Sequence, residues 1–157
     1  MQKDSILIDE IAGMLMDSTL FSSFAPAEVR SIARYFGINN IDGDGVIFEE
    51  GDIGNFMCIV NSGKVSILKA NQDGENVEVA TLIRDRTFGE MAVLDGERRS
   101  ATCIAATDCV LLTLSKDSLD RMLEETPRNA AKVIRAVAVA LSKRLRMADG
   151  KLVDYQI

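Results

Sequence analysis

The residues of this chain with the clearest chemical potential are Glu90 and Arg99, nine positions apart in the segment FGEMAVLDGERRSAT (88–102). A carboxylate such as Glu90 accepts hydrogen bonds from hydroxyl groups, and a guanidinium such as Arg99 binds phosphate through paired, charge-assisted hydrogen bonds. Backbone N–H groups at a helix start or a tight turn can complete such an anion site. Here those groups belong to residues near Gly89, Met91, Ser100 and Ala101. The spacing therefore predicts a site for a small phosphate ester that also carries a hydroxyl group.

The same segment resembles the phosphate-binding cassette of the cyclic nucleotide-binding domains, which reads FGE, a small apolar residue and Ala-Leu, followed by Arg, a small residue and Ala. The resemblance continues upstream through 47–67 and a helical lead-in at 20–36. It implies that Arg99 binds the phosphate and that Glu90 accepts a hydrogen bond from the ribose 2′-hydroxyl. The full ligand-binding set that it implies is Gly89, Glu90, Met91, Ala92, Val93, Arg99, Ser100 and Ala101. The alternative is an ordinary structural ion pair between Glu90 and Arg99.

The composition favours a binding protein over an enzyme. Histidine is absent, which removes the usual general base, the serine–histidine nucleophile and most catalytic zinc sites. We therefore expect no catalytic residue, no metal and no cofactor. The formal net charge of −6 argues against nonspecific binding to nucleic acid or to an anionic membrane. An anionic ligand must accordingly be captured locally by Arg99.

The cysteines and the apolar runs indicate the cellular compartment of the protein. Cys58, Cys103 and Cys109 lie in strand-like segments without metal-ligand spacing, which favours buried, reduced thiols. No apolar run reaches the roughly 20 residues that a membrane-spanning helix needs, and no signal-peptide pattern is present. We expect a cytoplasmic protein without membrane contact.

The pattern along the chain predicts a single domain over 1–157. Residues 1–37 have helical periodicity, and residues 38–114 have short apolar runs separated by glycine and Asn/Asp turns, which is typical of a β-sandwich. The turns at 61–64 and 71–74 are predicted to close antiparallel hairpins. Ser115 and Thr126-Pro127 mark two helix starts within 115–157. The family resemblance sharpens this prediction to an eight-stranded β jelly roll, carrying the cassette at 88–102, with N-terminal helices and a long C-terminal helix.

The last helix carries an apolar seam with spacings of four and three, as in a heptad repeat. The resemblance implies a homodimer through this helix; a helix that folds back on its own domain is the alternative, and Gly150 weakens the helix. The seam consists of Ile134, Ala138, Leu141, Leu145, Ala148, Leu152 and Tyr155.

The base-contacting residues depart from the family pattern. In related regulators, two polar residues of this helix reach the base, and Ala148 and Asp149 occupy those places here. Leu145, one helical turn earlier, is a further candidate base contact. Ser100 is compatible with either cAMP or cGMP, and we favour cAMP.

Three function classes stay open. The first is a receptor that controls an unidentified effector, the second is a ligand-silent dimerisation or interaction module on the same fold, and the third is a nucleotide-processing enzyme. No helix-turn-helix follows the last helix, so we expect no direct DNA binding, and the effector is expected to be a protein if the chain is complete. The segment NIDGDGVIFEEG (40–51) approaches a calcium loop, but its twelfth position is Gly51 instead of the bidentate Glu, so we expect no calcium site there.

Overall fold

The computed structural model describes residues 2–156 and the side chains of residues 5–148. Eight antiparallel strands form two four-stranded sheets, in the orders β1-β8-β3-β6 and β2-β7-β4-β5. The strands are β1 (Phe36–Ile41), β2 (Val46–Phe48), β3 (Phe56–Ser62), β4 (Val65–Ala70), β5 (Asn76–Leu82), β6 (Thr87–Phe88), β7 (Thr102–Ala105) and β8 (Cys109–Ser115). This architecture confirms the predicted jelly roll.

Helices flank the sheets at both ends of the chain. They are α1 (Gln2–Met16), a 3-10 turn (Thr19–Phe21), α2 (Pro26–Ala33), the short α3 (Glu90–Asp95), α4 (Lys116–Glu125) and α5 (Pro127–Gln156). The Ser115 side chain accepts a hydrogen bond from the backbone N–H of Ser118, so it caps α4 as predicted. None of the helices within 2–156 is long and apolar enough to cross a membrane.

Strand β3 explains why the core has two layers. Cys58 and Val60 point between the sheets, whereas Met57 and Ile59 point from the opposite face into a cluster with the flanking helices. Because successive side chains of a strand alternate in direction, a strand covered on both faces must be apolar at every position. The run MCIV in this strand meets that requirement.

Two details of the β region differ from the prediction. β1 begins at Phe36 rather than at residue 38. The turn at 61–64 is not a hairpin, because β3 and β4 belong to different sheets, and the same holds for the connection between β1 and β2. Gly63 has φ +91° and lies against the Asp108 backbone, so this turn carries the chain across the sandwich. The turn at 71–74 does close a hairpin, between β4 and β5.

Helix α5 packs on its own domain through its first half. Ala130, Val133 and Val137 are buried, and the seam residues Ile134 and Leu141 are partly buried against the same cluster. The seam residues Ala138, Leu145 and Ala148 are exposed. The side chains of Leu152 and Tyr155 lie outside the described residues. The predicted homodimer seam is thus shared between the domain core and an exposed surface.

Candidate ligand-binding site

A cavity of about 160 Å³ lies beside α3. Its wall combines residues of the cassette with the aromatic rings of Phe48 and Phe88 and one residue of α5, Arg144. The jelly roll brings these parts together because β2, β6 and β7 end around the same opening. Besides Phe88, the cassette residues that line the cavity are Gly89, Glu90, Met91, Ala92, Asp95, Glu97, Arg98, Arg99, Ser100 and Ala101.

Glycines allow the backbone to approach the arginine of this cavity. Gly89 has φ +75°, a conformation that other residues rarely adopt, and a Cβ at this position would lie 2.6 Å from Nη1 of Arg99. Gly54 precedes β3, and a Cβ there would overlap the Cβ of Ala92 and lie 3.1 Å from Nε of Arg99. Both positions therefore need the absence of a side chain.

Arg99 is a buried cation without a carboxylate partner among the described residues. Only 4% of the surface of Arg99 is exposed. Its guanidinium donates hydrogen bonds to the carbonyls of Gly89 (2.9 Å) and Phe56 (2.6 Å). Its guanidinium lies over the Phe48 ring at 3.9 Å, while Nε has no hydrogen-bond partner. Burial lowers the pKa of Arg99, because an apolar environment disfavours its charged form. A bound anion would offset the cost of burying this charge.

The backbone of Arg99 is held as firmly as its side chain. Its N–H donates to the carbonyl of Asp52 (2.7 Å), and its carbonyl accepts from the N–H of Gly51 (2.8 Å). These bonds join the cassette to the segment before β3. The neighbouring Arg98 is exposed and donates to the carbonyl of Gly51 (2.9 Å). Of the two arginines, only Arg99 is buried.

Glu90 is the second buried charge of the cavity, with 3% of its surface exposed. One carboxylate oxygen forms an ion pair with Arg144 of α5. The other, Oε2, has no hydrogen-bond partner among the described residues. Arg144 also donates to the carbonyl of Thr87 (3.3 Å), and its pKa is lowered by burial and, to a lesser extent, by the charge of Arg86. The ion pair of Glu90 therefore joins the cassette to the last helix rather than to Arg99.

Three of the predicted site residues do not line the cavity. Val93 is buried in the cluster under the flanking helices and does not line the cavity. Leu145 is 63% exposed, Ala148 is also exposed, and neither lines the cavity. The Asp149 side chain lies outside the described residues, so its contact with a base stays a prediction.

Sequence reasoning missed Arg144 and Gly54. Arg144 belongs to the run KRLR, in which three of four residues are cations. Nothing in that pattern indicates which of the three points into the domain. Gly54 follows Ile53 in a loop without a motif of its own. The cavity-lining residues Phe48, Ile67 and Cys103 could be recognised from sequence only as strand residues.

Burial also governs the cysteines near this site. All three cysteines are buried and free of disulfides, which confirms the prediction of buried thiols. Burial raises the pKa of Cys58 and that of Cys103 to about 12. Both thiols therefore stay protonated at neutral pH, although the charge of Arg99 acts in the opposite direction.

The comparisons with known proteins agree with this geometry. The family model described as "Cyclic nucleotide-binding domain" matches residues 40–126. The chain is similar to the cyclic AMP receptor protein of Thermus thermophilus, with 34% identity over 86% of this chain and 61% of that protein. It is also similar to a cAMP-dependent protein kinase regulatory subunit of Yarrowia lipolytica, with 31% identity over 71% of this chain and 29% of that protein.

Solved structures show the same fold. A cyclic nucleotide-binding domain from Methylobacillus flagellatus superposes with a TM-score of 0.83 at 26% identity, over 98% of this chain and 86% of that one. The chain spans 61–62% of the length of the first curated relatives that it matches.

Proposed function

This chain belongs to the cyclic nucleotide-binding domain family, and on that premise we propose that it is a non-enzymatic receptor for a cyclic nucleotide, with cAMP preferred over cGMP. One observation carries the proposal. The cavity holds a buried arginine without a carboxylate partner beside a buried glutamate with an unpartnered oxygen, as far as the described residues extend. A cyclic nucleotide offers an anionic phosphate for the first and a ribose hydroxyl for the second. The preference for cAMP rests on the names of relatives such as the cyclic AMP receptor protein.

In the proposed complex, Arg99 binds the phosphate. Its Nε lacks a partner, and its charge lies in a largely apolar cavity where electrostatic attraction is stronger than in water. The two aromatic rings that face the guanidinium, Phe48 and Phe56, hold it in place through cation–π contacts. The phosphate thus enters a preorganised site.

Glu90 would accept the hydrogen bond of the ribose 2′-hydroxyl through Oε2. The same carboxylate is already paired with Arg144 of α5 through its other oxygen. A ligand that contacts Oε2 therefore binds the same carboxylate that anchors the last helix through Arg144. We infer that binding shifts the population of α5 positions, since the two states differ in their contacts with the ligand.

The exposed part of α5 is the surface through which this shift would act. Ala138, Leu145 and Ala148 of the predicted seam are exposed, and heptad-spaced apolar residues favour helix pairing. We propose a homodimer along this surface, with an effector protein controlled through the same helix. The cytoplasm is the proposed compartment because buried free thiols suit a reducing environment.

Calorimetric titration with cAMP and then cGMP tests the proposal. The protein is first unfolded and refolded to remove any co-purified nucleotide. Saturable binding is expected for the wild type. At a ligand concentration one hundred times the Kd, the free energy of unfolding should rise by about 2.7 kcal/mol. Arg99→Ala should lose the binding, because the other two arginines of the cavity wall are an exposed Arg98 and an Arg144 that is paired with Glu90.

The matched control is Arg121→Ala, which removes an exposed arginine of α4 and should leave the affinity unchanged. Arg99→Ala binding within a few-fold of the wild type would refute the assigned role of the arginine. Wild-type protein that binds neither nucleotide would refute the receptor proposal and favour the ligand-silent interaction module.

A further inference from the structure

A second, larger cavity lies on the other side of Arg144, outside the cassette. This open groove, of about 690 Å³, runs between α5, the 3-10 turn at Thr19–Phe21 and the segment 82–87 that connects β5 to β6. From here on we call it the α5 groove. It is more than four times as large as the cavity beside α3 (690 against 160 Å³). Its size suits a protein segment better than a small anion.

The chemistry of the α5 groove is cationic, although the chain as a whole carries a net charge of −6. Four cations line it, namely Arg84, Arg86, Lys143 and Arg144. Among the described lining residues the only acid is Asp85, and its carboxylate already accepts hydrogen bonds from Ser18 Oγ (2.7 Å) and Thr19 Oγ1 (2.5 Å).

The charges of the groove are only partly balanced. Arg84 has a distant, exposed ion pair with Asp17 (3.9 Å), and such pairs contribute little. Arg86 and Lys143 make no side-chain hydrogen bond or ion pair with any residue whose side chain is described. Arg86 also lies close enough to lower the pKa of Arg144. An acidic group placed between these cations would relieve their mutual repulsion.

Apolar side chains lie among these cations. Val139 and Met147 stand four residues on either side of Lys143, so the three follow one ridge of α5. Val139 is 46% exposed and Met147 is 60% exposed, and Ile83 on the opposite wall is 54% exposed. Apolar side chains flanked by cations form a surface that complements a segment carrying both acidic and large apolar side chains.

We propose that the α5 groove binds a segment of a partner protein that carries acidic and apolar side chains. Its acids would pair with Arg86 and Lys143, and its apolar side chains would cover Ile83, Val139 and Met147. A nucleic acid is not the expected occupant, since its phosphates would leave the apolar side chains uncovered. The groove shares Arg144 with the proposed nucleotide site, but its proposed contacts with Arg86 and Lys143 do not require a bound nucleotide.

The test uses three fluorescent peptides of equal length and equal leucine content, with Glu, Gln or Lys at the remaining positions. Fluorescence anisotropy with the full chain measures their affinity. The Glu peptide should bind saturably and at least tenfold more tightly than the other two. Arg86→Glu and Lys143→Glu should each weaken it by about fivefold, as expected for loss of an exposed ion pair combined with a new repulsion. Neither variant removes a described side-chain contact, and unchanged melting curves would verify their folding.

Lys64→Glu is the matched control, because it makes the same charge change in the turn between β3 and β4, away from the groove. It should leave the affinity for the Glu peptide unchanged. The proposal is overturned if the Glu peptide binds no more tightly than the Gln peptide, or if Lys64→Glu weakens it as much as Lys143→Glu does. It is also overturned if sedimentation shows a wild-type dimer that Lys143→Glu separates, because the occupant would then be a second copy of this chain.

Discussion

Replacing Gly54 by alanine tests whether the cassette is packed as tightly as the structure indicates. The new Cβ would overlap the Cβ of Ala92 and come within 3.1 Å of Nε of Arg99, so α3 or the guanidinium must move. Overpacking of this kind costs about 1–3 kcal/mol of unfolding free energy. For a chain of this size, each kcal/mol lowers the Tm by about 2–4 °C, which predicts a fall of about 2–12 °C.

The assay pairs thermal melting with nucleotide titration, and Gly13→Ala is the control. Gly13 lies in α1 with no atom within 4 Å of the position of an added Cβ, so alanine there should raise stability by up to about 1 kcal/mol through helix propensity. Gly54→Ala should melt lower than the wild type and bind cyclic nucleotide more weakly, because it displaces the phosphate-binding arginine. A Gly54→Ala protein that melted as Gly13→Ala does and kept wild-type affinity would show that the cassette tolerates the added Cβ and is not tightly packed.

Three other predictions follow from the charges, the thiols and the last helix. Arg144→Met leaves the buried carboxylate of Glu90 without its partner and should lower the free energy of unfolding by about 1–3 kcal/mol, the usual cost of a buried polar group without a partner. Chemical denaturation measures the loss, and Glu90→Gln in the same chain should restore part of it. The raised pKa values of Cys58 and Cys103 mean that the folded protein holds these protons above pH 9 while the unfolded chain releases them. The free energy of unfolding should therefore fall as pH rises from about 9 to about 12, and Cys58→Ala should reduce that slope; an equal slope in this variant would contradict the assignment. Leu145→Asp should separate a dimer in sedimentation without lowering nucleotide affinity, and a wild type that is monomeric with and without nucleotide would disprove the seam.

The local parts of this fold could be predicted from sequence. The alternation of apolar residues, the turn glycines, the cap at Ser115 and the helix start at Pro127 act through neighbours in the chain, so each leaves a local pattern. The turn at 61–64 shows the limit of such patterns. A glycine-containing turn between two apolar strands looks the same whether the strands pair with each other or lie in opposite sheets, and only the packing of both sheets decides.

The site shows the same division. Gly89, Glu90 and Arg99 lie within one segment, and their types and spacing predicted that they share one site; all three line the cavity beside α3. Arg144 reaches Glu90 from a helix 54 positions later, and its selection among neighbouring cations depends on how α5 packs. Gly54 likewise acquires its role only through the approach of Ala92. Contacts between distant segments leave no signal in a single sequence.

A crystal structure of the protein with cAMP is the most direct test of the central claim, which is that Arg99 and Glu90 together bind a cyclic nucleotide. We expect the phosphate within hydrogen-bond distance of the Arg99 guanidinium and the ribose 2′-hydroxyl donating to Oε2 of Glu90. The claim is contradicted if the nucleotide binds to another part of the protein. It is also contradicted if the nucleotide lies beside α3 but its phosphate does not contact Arg99 and its ribose does not contact Glu90.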